Sequence, residues 1–208
     1  MSTVILDYGL GNVRAFEELY KRNDLPARRA SSPEQLEDAE RLILPGVGAF
    51  DFAMKMFSES GLREPVDHLV QEKGIPVLGV CVGMQMMANS SDEGDLPGLG
   101  WVDAEVKHFS SVLGNEFITT PHMGWNDVYS IAGEPLFEGL ETNAQFYFLH
   151  SYFVQLASEE NVVASTEFGQ TFCSAFRSDN IRGVQFHPEK GHDWGTRLLR
   201  NFARISRC

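Results

Sequence analysis

Residues 75–80 form an unbroken apolar run that ends in Gly79-Val80-Cys81-Val82-Gly83, and the stretch that follows, 82–88, has the spacing of a helix. A short run with no polar alternation reads as a strand covered on both faces, the usual state of a central strand in a parallel sheet. A sharp turn from such a strand into a helix, with glycine two positions before and two after the central residue, is the nucleophile-elbow pattern, here carrying cysteine in place of serine. The turn lifts the side chain above the carboxyl edge of the sheet, and the glycines let strand and helix come close. A helix N-terminus at that point favours a thiolate. Taken alone, the pattern also fits an inert cysteine packed in a core strand.

The remaining segments agree with an open α/β sheet. Residues 3–6 read as a strand ending at Asp7-Tyr8-Gly9, and Asn12 is placed to cap a helix with apolar positions Val13, Phe16, Leu19 and Tyr20. Leu42-Ile43-Leu44 reads as a strand broken by Pro45-Gly46, and 62–72 as a helix with Val66, Leu69 and Val70 on one face. Strand and helix alternate through this half, as in doubly wound sheets. The second half has shorter strands, at 146–149 and 183–186, with a more antiparallel character, and a closing helix at 194–205. One domain covering 1–208 is expected, with a mostly parallel central sheet flanked by helices and a smaller antiparallel section.

Three segments offer chemistry around Cys81. In Gly183-Val184-Gln185-Phe186-His187-Pro188-Glu189, His187 ends an apolar strand and Glu189 lies two residues on, so the carboxylate can share a face with the imidazole. Pro188 favours an extended backbone at His187. The second segment, Leu44-Pro45-Gly46-Val47-Gly48, follows a strand and so belongs at the same sheet edge, where its glycines allow main-chain N–H groups to face an oxyanion. The N–H of Val82, directly after the cysteine, is the usual second donor. Each segment also has a plain reading, as a strand-end histidine beside a solvated glutamate and as a tight loop.

The net charge of −12 excludes a basic phosphate-gripping face, so no nucleic-acid partner is expected. No apolar run approaches the roughly 18 residues a membrane helix needs, and no basic-then-apolar leader opens the chain. Three widely spaced cysteines, at 81, 173 and 208, fit a reducing compartment, and a cytoplasmic location is expected. The other histidines, at 68, 108, 122, 150 and 192, show no metal-ligand spacing and read as surface or packing residues; neither metal nor cofactor is expected. Gly9 and Gly11 suggest a dinucleotide loop, but Arg14 stands where its third glycine belongs.

Together these segments resemble the class I, or triad, glutamine amidotransferases along the whole chain. Further stretches are similar to the glutaminase subunits of imidazole glycerol phosphate synthases: Asp7-Tyr8-Gly9-Leu10-Gly11-Asn12, Pro45-Gly46-Val47-Gly48-Ala49-Phe50, Cys81-Val82-Gly83-Met84-Gln85, Pro121-His122-Met123-Gly124-Trp125-Asn126, Phe148-Leu149-His150-Ser151-Tyr152 and Val184-Gln185-Phe186-His187-Pro188-Glu189-Lys190. The resemblance implies Cys81 as nucleophile, His187 as general base and acid, and Glu189 as its orienter. It implies Gly48 and Val82 at the oxyanion hole, and Gln85, Ser151 and Tyr152 at the amino-acid end of L-glutamine. Asn12, Trp125, Asn126, Tyr147 and Lys190 match positions that face a synthase (cyclase) subunit in a heterodimer. The run Gly191-His192-Asp193-Trp194-Gly195 looks more like relatives in surface-polysaccharide clusters, so a paralogous glutaminase feeding a sugar-amidating synthase is the alternative.

Overall fold

The computed structural model describes residues 2–113 and 119–207. Along the chain, β1 (Thr3–Leu6), α1 (Val13–Arg22), β2 (Ala27–Ala30), β3 (Arg41–Gly46), α2 (Phe50–Glu59), α3 (Arg63–Asp67), β4 (Val77–Cys81) and α4 (Val82–Met86) make up the first half. They are followed by β5 (Ser90–Ser91), β6 (Ala104–His108), α5 (Phe109–Leu113), β7 (His122–Asp127), β8 (Tyr129–Ser130), β9 (Gln145–His150) and β10 (Tyr152–Leu156). The chain closes with β11 (Val162–Phe168), β12 (Gln170–Ser178), β13 (Ile181–Val184) and α6 (His192–Phe202).

The main sheet has the order β2-β1-β3-β4-β13-β12-β11-β8. Its first five strands are parallel and the rest antiparallel. An antiparallel ribbon, β7-β9, and a small mixed sheet, β10-β6-β5, in which β10 runs antiparallel and β5 parallel to β6, complete the fold. Strand β4 is central, and every residue of it is buried, as its continuous apolar pattern requires. Helices α1 and α6 bury Phe16, Tyr20, Leu198, Leu199 and Phe202 in the core. Among the described residues, no helix is long and apolar enough to cross a membrane.

Several boundaries differ from expectation. Strand β3 runs through Pro45-Gly46 instead of stopping before it, with Pro45 opposite Val80 and Gly46 opposite Cys81. Pro45 is tolerated there because the ladder to β1 has ended at Ile43, so its missing N–H leaves no bond unmade. The helix read over 62–72 is α3 followed by a π-type turn at His68–Glu72. The strand read at 183–186 is displaced toward the N-terminus as β13 and runs parallel to β4, and the closing helix begins at His192. Asn12 holds the cap position of α1, but its side chain makes no cap hydrogen bond. Its carbonyl receives the N–H of Ala15 at 2.9 Å.

Candidate active site

Strand order alone brings the three candidate segments together. β4 lies between β3 and β13, with Gly46 opposite Cys81 and Val184 opposite Val80. The chain leaving β3 and the chain leaving β13 therefore flank the cysteine on either side of one sheet edge. Cys81 sits at φ +55°, a left-handed conformation that strains a non-glycine residue and that the elbow turn imposes. The turn is tight because the glycines beside it allow main chains to touch. A Cβ on Gly83 would lie 1.9 Å from the Leu44 carbonyl oxygen, and one on Gly46 would lie 2.2 Å from the Gly83 nitrogen. Helix α4 has only five residues, so its dipole is small, and the positive charge beside the sulfur comes mainly from His187.

His187 and Glu189 are both buried, with side chains 6% and 2% exposed. His187 Nδ1–H donates to Glu189 Oε1 at 2.9 Å, which leaves Nε2 free for the cysteine. Extended alternation does not create this contact. Pro188–Lys190 form a turn of 3-10 helix, and the turn folds the carboxylate back onto the ring. The main-chain N–H of His187 donates to the Tyr147 carbonyl at 2.9 Å, tying the histidine to β9. Burial works against a charge on His187, but the contacts and opposite charges of Cys81 and Glu189 outweigh it and push its pKa up to about 10. The ring can thus rest as an imidazolium between the sulfur and the carboxylate.

The sign of that shift makes a testable prediction. The folded pKa lies above the ordinary 6.5, so the stabilisation of the charged ring is complete below about pH 6.5 and is lost as pH rises through about 10. In Cys81→Ala the sulfur's contact and charge are gone, and His187 should titrate at distinctly lower pH. Ring NMR shifts of His187 followed through a pH titration of both proteins check this. Identical titration curves would show that the sulfur does not hold the charge.

The cleft around Cys81 has a volume of about 350 Å³. Its lining includes Val47, Gly48 and Val82, the segment Ser151-Tyr152 with Gln85, and His187 with Lys190. Cys81, His187 and all the residues expected at the oxyanion hole and the substrate end therefore meet in one cavity, while Glu189 stands behind His187 rather than in the lining. The expected partner-facing residues divide. Trp125 and Tyr147 pair across β7-β9, Trp125 stacks on His192 at 5.3 Å, and Lys190 Nζ lies 4.8 Å from the Tyr147 ring centre. With Met123 and Leu149 they form an exposed, largely apolar surface next to the cleft. Asn12 is exposed at the head of α1. Asn126 turns inward, and its amide donates to His122 Nε2 at 3.1 Å and to the Glu167 carbonyl at 2.9 Å.

Other residues of the site carried no role in the sequence. Gln185 is fully buried and points its amide nitrogen at Cys81 Sγ, 3.8 Å away. Glu93 lines the cleft and accepts the N–H of Phe50 at 2.9 Å, so a carboxylate stands where a cationic group can meet it. Tyr8 is buried and donates to the Pro45 carbonyl at 2.6 Å, bracing the end of β3. His122 and His150 are buried in contact with each other and are not surface residues. Gln185 and Glu93 lie in the quoted stretch 184–190 and in a polar loop, and nothing in their local spacing separates them from ordinary polar residues. Cys173 is half-buried, with its thiol pKa pushed up to about 12 by burial, and Cys208 lies outside the described residues.

A cysteine at a strained elbow, an imidazole hydrogen-bonded to a buried carboxylate and a glycine-bordered cavity suit acyl transfer from an amide. The model of the family described as glutamine amidotransferase class-I matches residues 7–205. The chain belongs to the class I glutamine amidotransferases. It is 54% identical over 201 residues to the imidazole glycerol phosphate synthase subunit HisH of Bdellovibrio bacteriovorus, covering 97% of this chain and 98% of that protein. The subunit of the same name from Leptospira interrogans is 46% identical, with the same coverage. Among solved structures, one described as a glutamine amidotransferase superposes with a TM-score of 0.74 at 24% identity, covering 98% of this chain and 99% of the other. As a glutamine amidotransferase, the chain is an enzyme of the glutaminase type, with the mixed, largely parallel sheet of its class.

Proposed function

We propose that this amidotransferase, in one domain spanning 1–208, is the glutaminase subunit of an imidazole glycerol phosphate synthase, supplying ammonia to a cyclase subunit in histidine biosynthesis. The observation that carries the pathway is the 54% identity, over nearly the full length of both chains, to a protein of that name. It favours this role over ammonia supply to a sugar-amidating synthase. The chemistry rests on the juxtaposition of Cys81, His187 and Glu189.

In this reading the Cys81 thiolate attacks the carboxamide carbon of glutamine, and main-chain donors at Gly48 and Val82 receive the oxyanion. The His187 imidazolium gives its proton to the departing nitrogen, which leaves as ammonia, and a glutamyl thioester remains. His187, now neutral, takes a proton from water as the water attacks the thioester. Glutamate leaves, and thiolate and imidazolium are restored. Glu189 keeps the proton-bearing Nδ1 turned away from the sulfur throughout. Glu93 and Gln85 hold the α-amino end of the substrate, with Ser151 and Tyr152 at the carboxylate side. The exposed surface of Met123, Trp125, Tyr147, Leu149 and Lys190 receives the cyclase.

The test is growth. Expressed with its cognate cyclase, the chain should restore growth without histidine to a strain that lacks this glutaminase. Absence of rescue, together with glutamine-dependent amidation of a nucleotide sugar by a neighbouring synthase, would overturn the pathway in favour of the paralogue.

A further inference from the structure

The ribbon β7-β9 has two faces. Met123 and Trp125 point outward, while His122 and Asn126 point into the protein against Phe146, Phe148 and His150. The inward face carries a chain of hydrogen bonds whose direction can be read without locating any proton. The Tyr152 carbonyl oxygen can only accept, so His150 Nδ1, at 2.7 Å, bears hydrogen, and the Gln85 nitrogen, at 3.0 Å, is correctly placed as a donor. A neutral His150 then has a bare Nε2, so His122 Nδ1, 3.0 Å from it, bears hydrogen. His122 Nε2 is bare in turn and accepts from the Asn126 amide nitrogen at 3.1 Å. The far end gives the same answer independently. The Asn126 nitrogen also donates to the Glu167 carbonyl, at 2.9 Å, and its oxygen accepts the N–H of Asp127, at 2.8 Å, so this amide cannot be turned around.

Both ends thus demand one hydrogen per gap, all pointing the same way. A second proton on either imidazole would set two N–H groups face to face. The surroundings fit neutral rings. His122 lies between Phe148 and Phe168, with ring centres 4.6 and 4.2 Å away, and His150 packs against Phe109 of α5 and Phe172 of β12. His187 is the charged group on the cleft side, and it disfavours a charge on His150; Glu167 offers its main-chain carbonyl to the chain. Burial lowers the pKa of His122 to about 4 and that of His150 to about 3.

The chain ends at the cleft beside Cys81. Gln85 uses its amide nitrogen on one fixed acceptor, the Tyr152 carbonyl, and also, at 3.1 Å, on Gln185 Oε1. Its own carbonyl oxygen, with no protein partner among the described residues, is then the group left for the cleft that Gln85 lines. Gln185 in turn reaches Cys81. We propose that His122 and His150 are positioning residues, held as Nδ1–H tautomers, which fix the Tyr152 carbonyl and through it the orientation in which Gln85 meets the amino end of glutamine. The substrate part of this inference rests on the glutaminase reading; the tautomers do not.

Two measurements test it. Ring nitrogen shifts of the ¹⁵N-labelled chain should show both histidines as neutral Nδ1–H tautomers throughout pH 5.5–8; an Nε2–H tautomer or a cation in that range for either ring overturns the proposal. The second is glutaminase kinetics in the complex with the cyclase. His122→Phe keeps the aromatic stack but deletes both hydrogen bonds, and should raise KM for glutamine about tenfold, the worth of one neutral hydrogen bond, with kcat changed less than about threefold. Phe168→Leu loosens the stack without touching the chain and should leave KM near the parent value. An unchanged KM in His122→Phe, or an equal rise in Phe168→Leu, overturns the positioning role. If His122→Phe does not fold, the tautomers of the parent chain still decide. A parent complex that does not hydrolyse glutamine defeats the glutaminase reading and leaves the tautomer result standing.

Discussion

Cys81→Ala should lower glutamine hydrolysis by about three orders of magnitude or more, while the fold and the proposed partner's ammonia-driven reaction should survive. The loss is large because the sulfur is the group that would form the acyl intermediate, and members of such a constellation act as a unit. The fold survives because alanine occupies the same backbone position, at φ +55°, with no more strain than cysteine, and because only one small buried atom is removed. Deleting it costs about 1 kcal/mol. In the proposed complex the cyclase does its own chemistry, so ammonium salt supplied in place of glutamine should restore product formation. Cys173 is the control. Its high pKa keeps it a thiol, its Sγ donates to the Ala175 carbonyl at 3.4 Å, and Cys173→Ala leaves turnover unchanged. Steady-state glutaminase assays on both variants, with ammonia-dependent synthesis alongside, decide the matter. Near-normal hydrolysis by Cys81→Ala would falsify the mechanism.

The parts of this site that could be read from sequence are those whose function imposes a local pattern. The Cys81 elbow requires an apolar strand, two glycines and a turn, all within a few residues. The stretch to Glu189 is also local, although a 3-10 turn and not an extended strand brings the carboxylate to the ring. What escaped notice depends on distant pairing or on weak patterns. Edge strand β2 is Ala-Arg-Arg-Ala and only its last residue is buried, so it carries no alternation. Helix α2 leaves Phe52 53% exposed among buried neighbours, which blurs its amphipathic stripe. Pro45-Gly46 looked like a strand end because local rules exclude proline from a central strand. Only the early end of the β1 ladder makes it acceptable. His122 and His150 are opposed by the register of β7 and β9, and neither carries a signal in its own neighbourhood.

The second large effect expected is activation by the partner. The backbone beside Cys81 is fixed at one end and loose at the other. Gly46 is locked against the α4 main chain, and Pro45 is held by the Tyr8 hydroxyl. Two residues later, Val47 is 38% exposed, and Gly48, at φ +87°, has nothing within 4 Å of where a Cβ would stand. The peptide plane between Val47 and Gly48 can therefore turn at low steric cost. One orientation presents an N–H to the oxyanion, and the other presents a carbonyl oxygen, which repels it. The triad can be complete while the oxyanion hole is not. Lys190 borders the same cleft and lies against Tyr147 on the exposed surface, so docking there acts next to the loop. The isolated chain should hydrolyse glutamine very slowly. The cyclase with its nucleotide ligand should raise turnover by about two to three orders of magnitude, the worth of one restored oxyanion donor. The gain should fall on kcat with little change in KM, because the donor acts only on the transition state. Glutaminase kinetics on the chain alone, with the cyclase, and with cyclase and ligand test this. An equal kcat in all three would eliminate control by the loop and leave the roles of Cys81, His187 and Glu189 untouched.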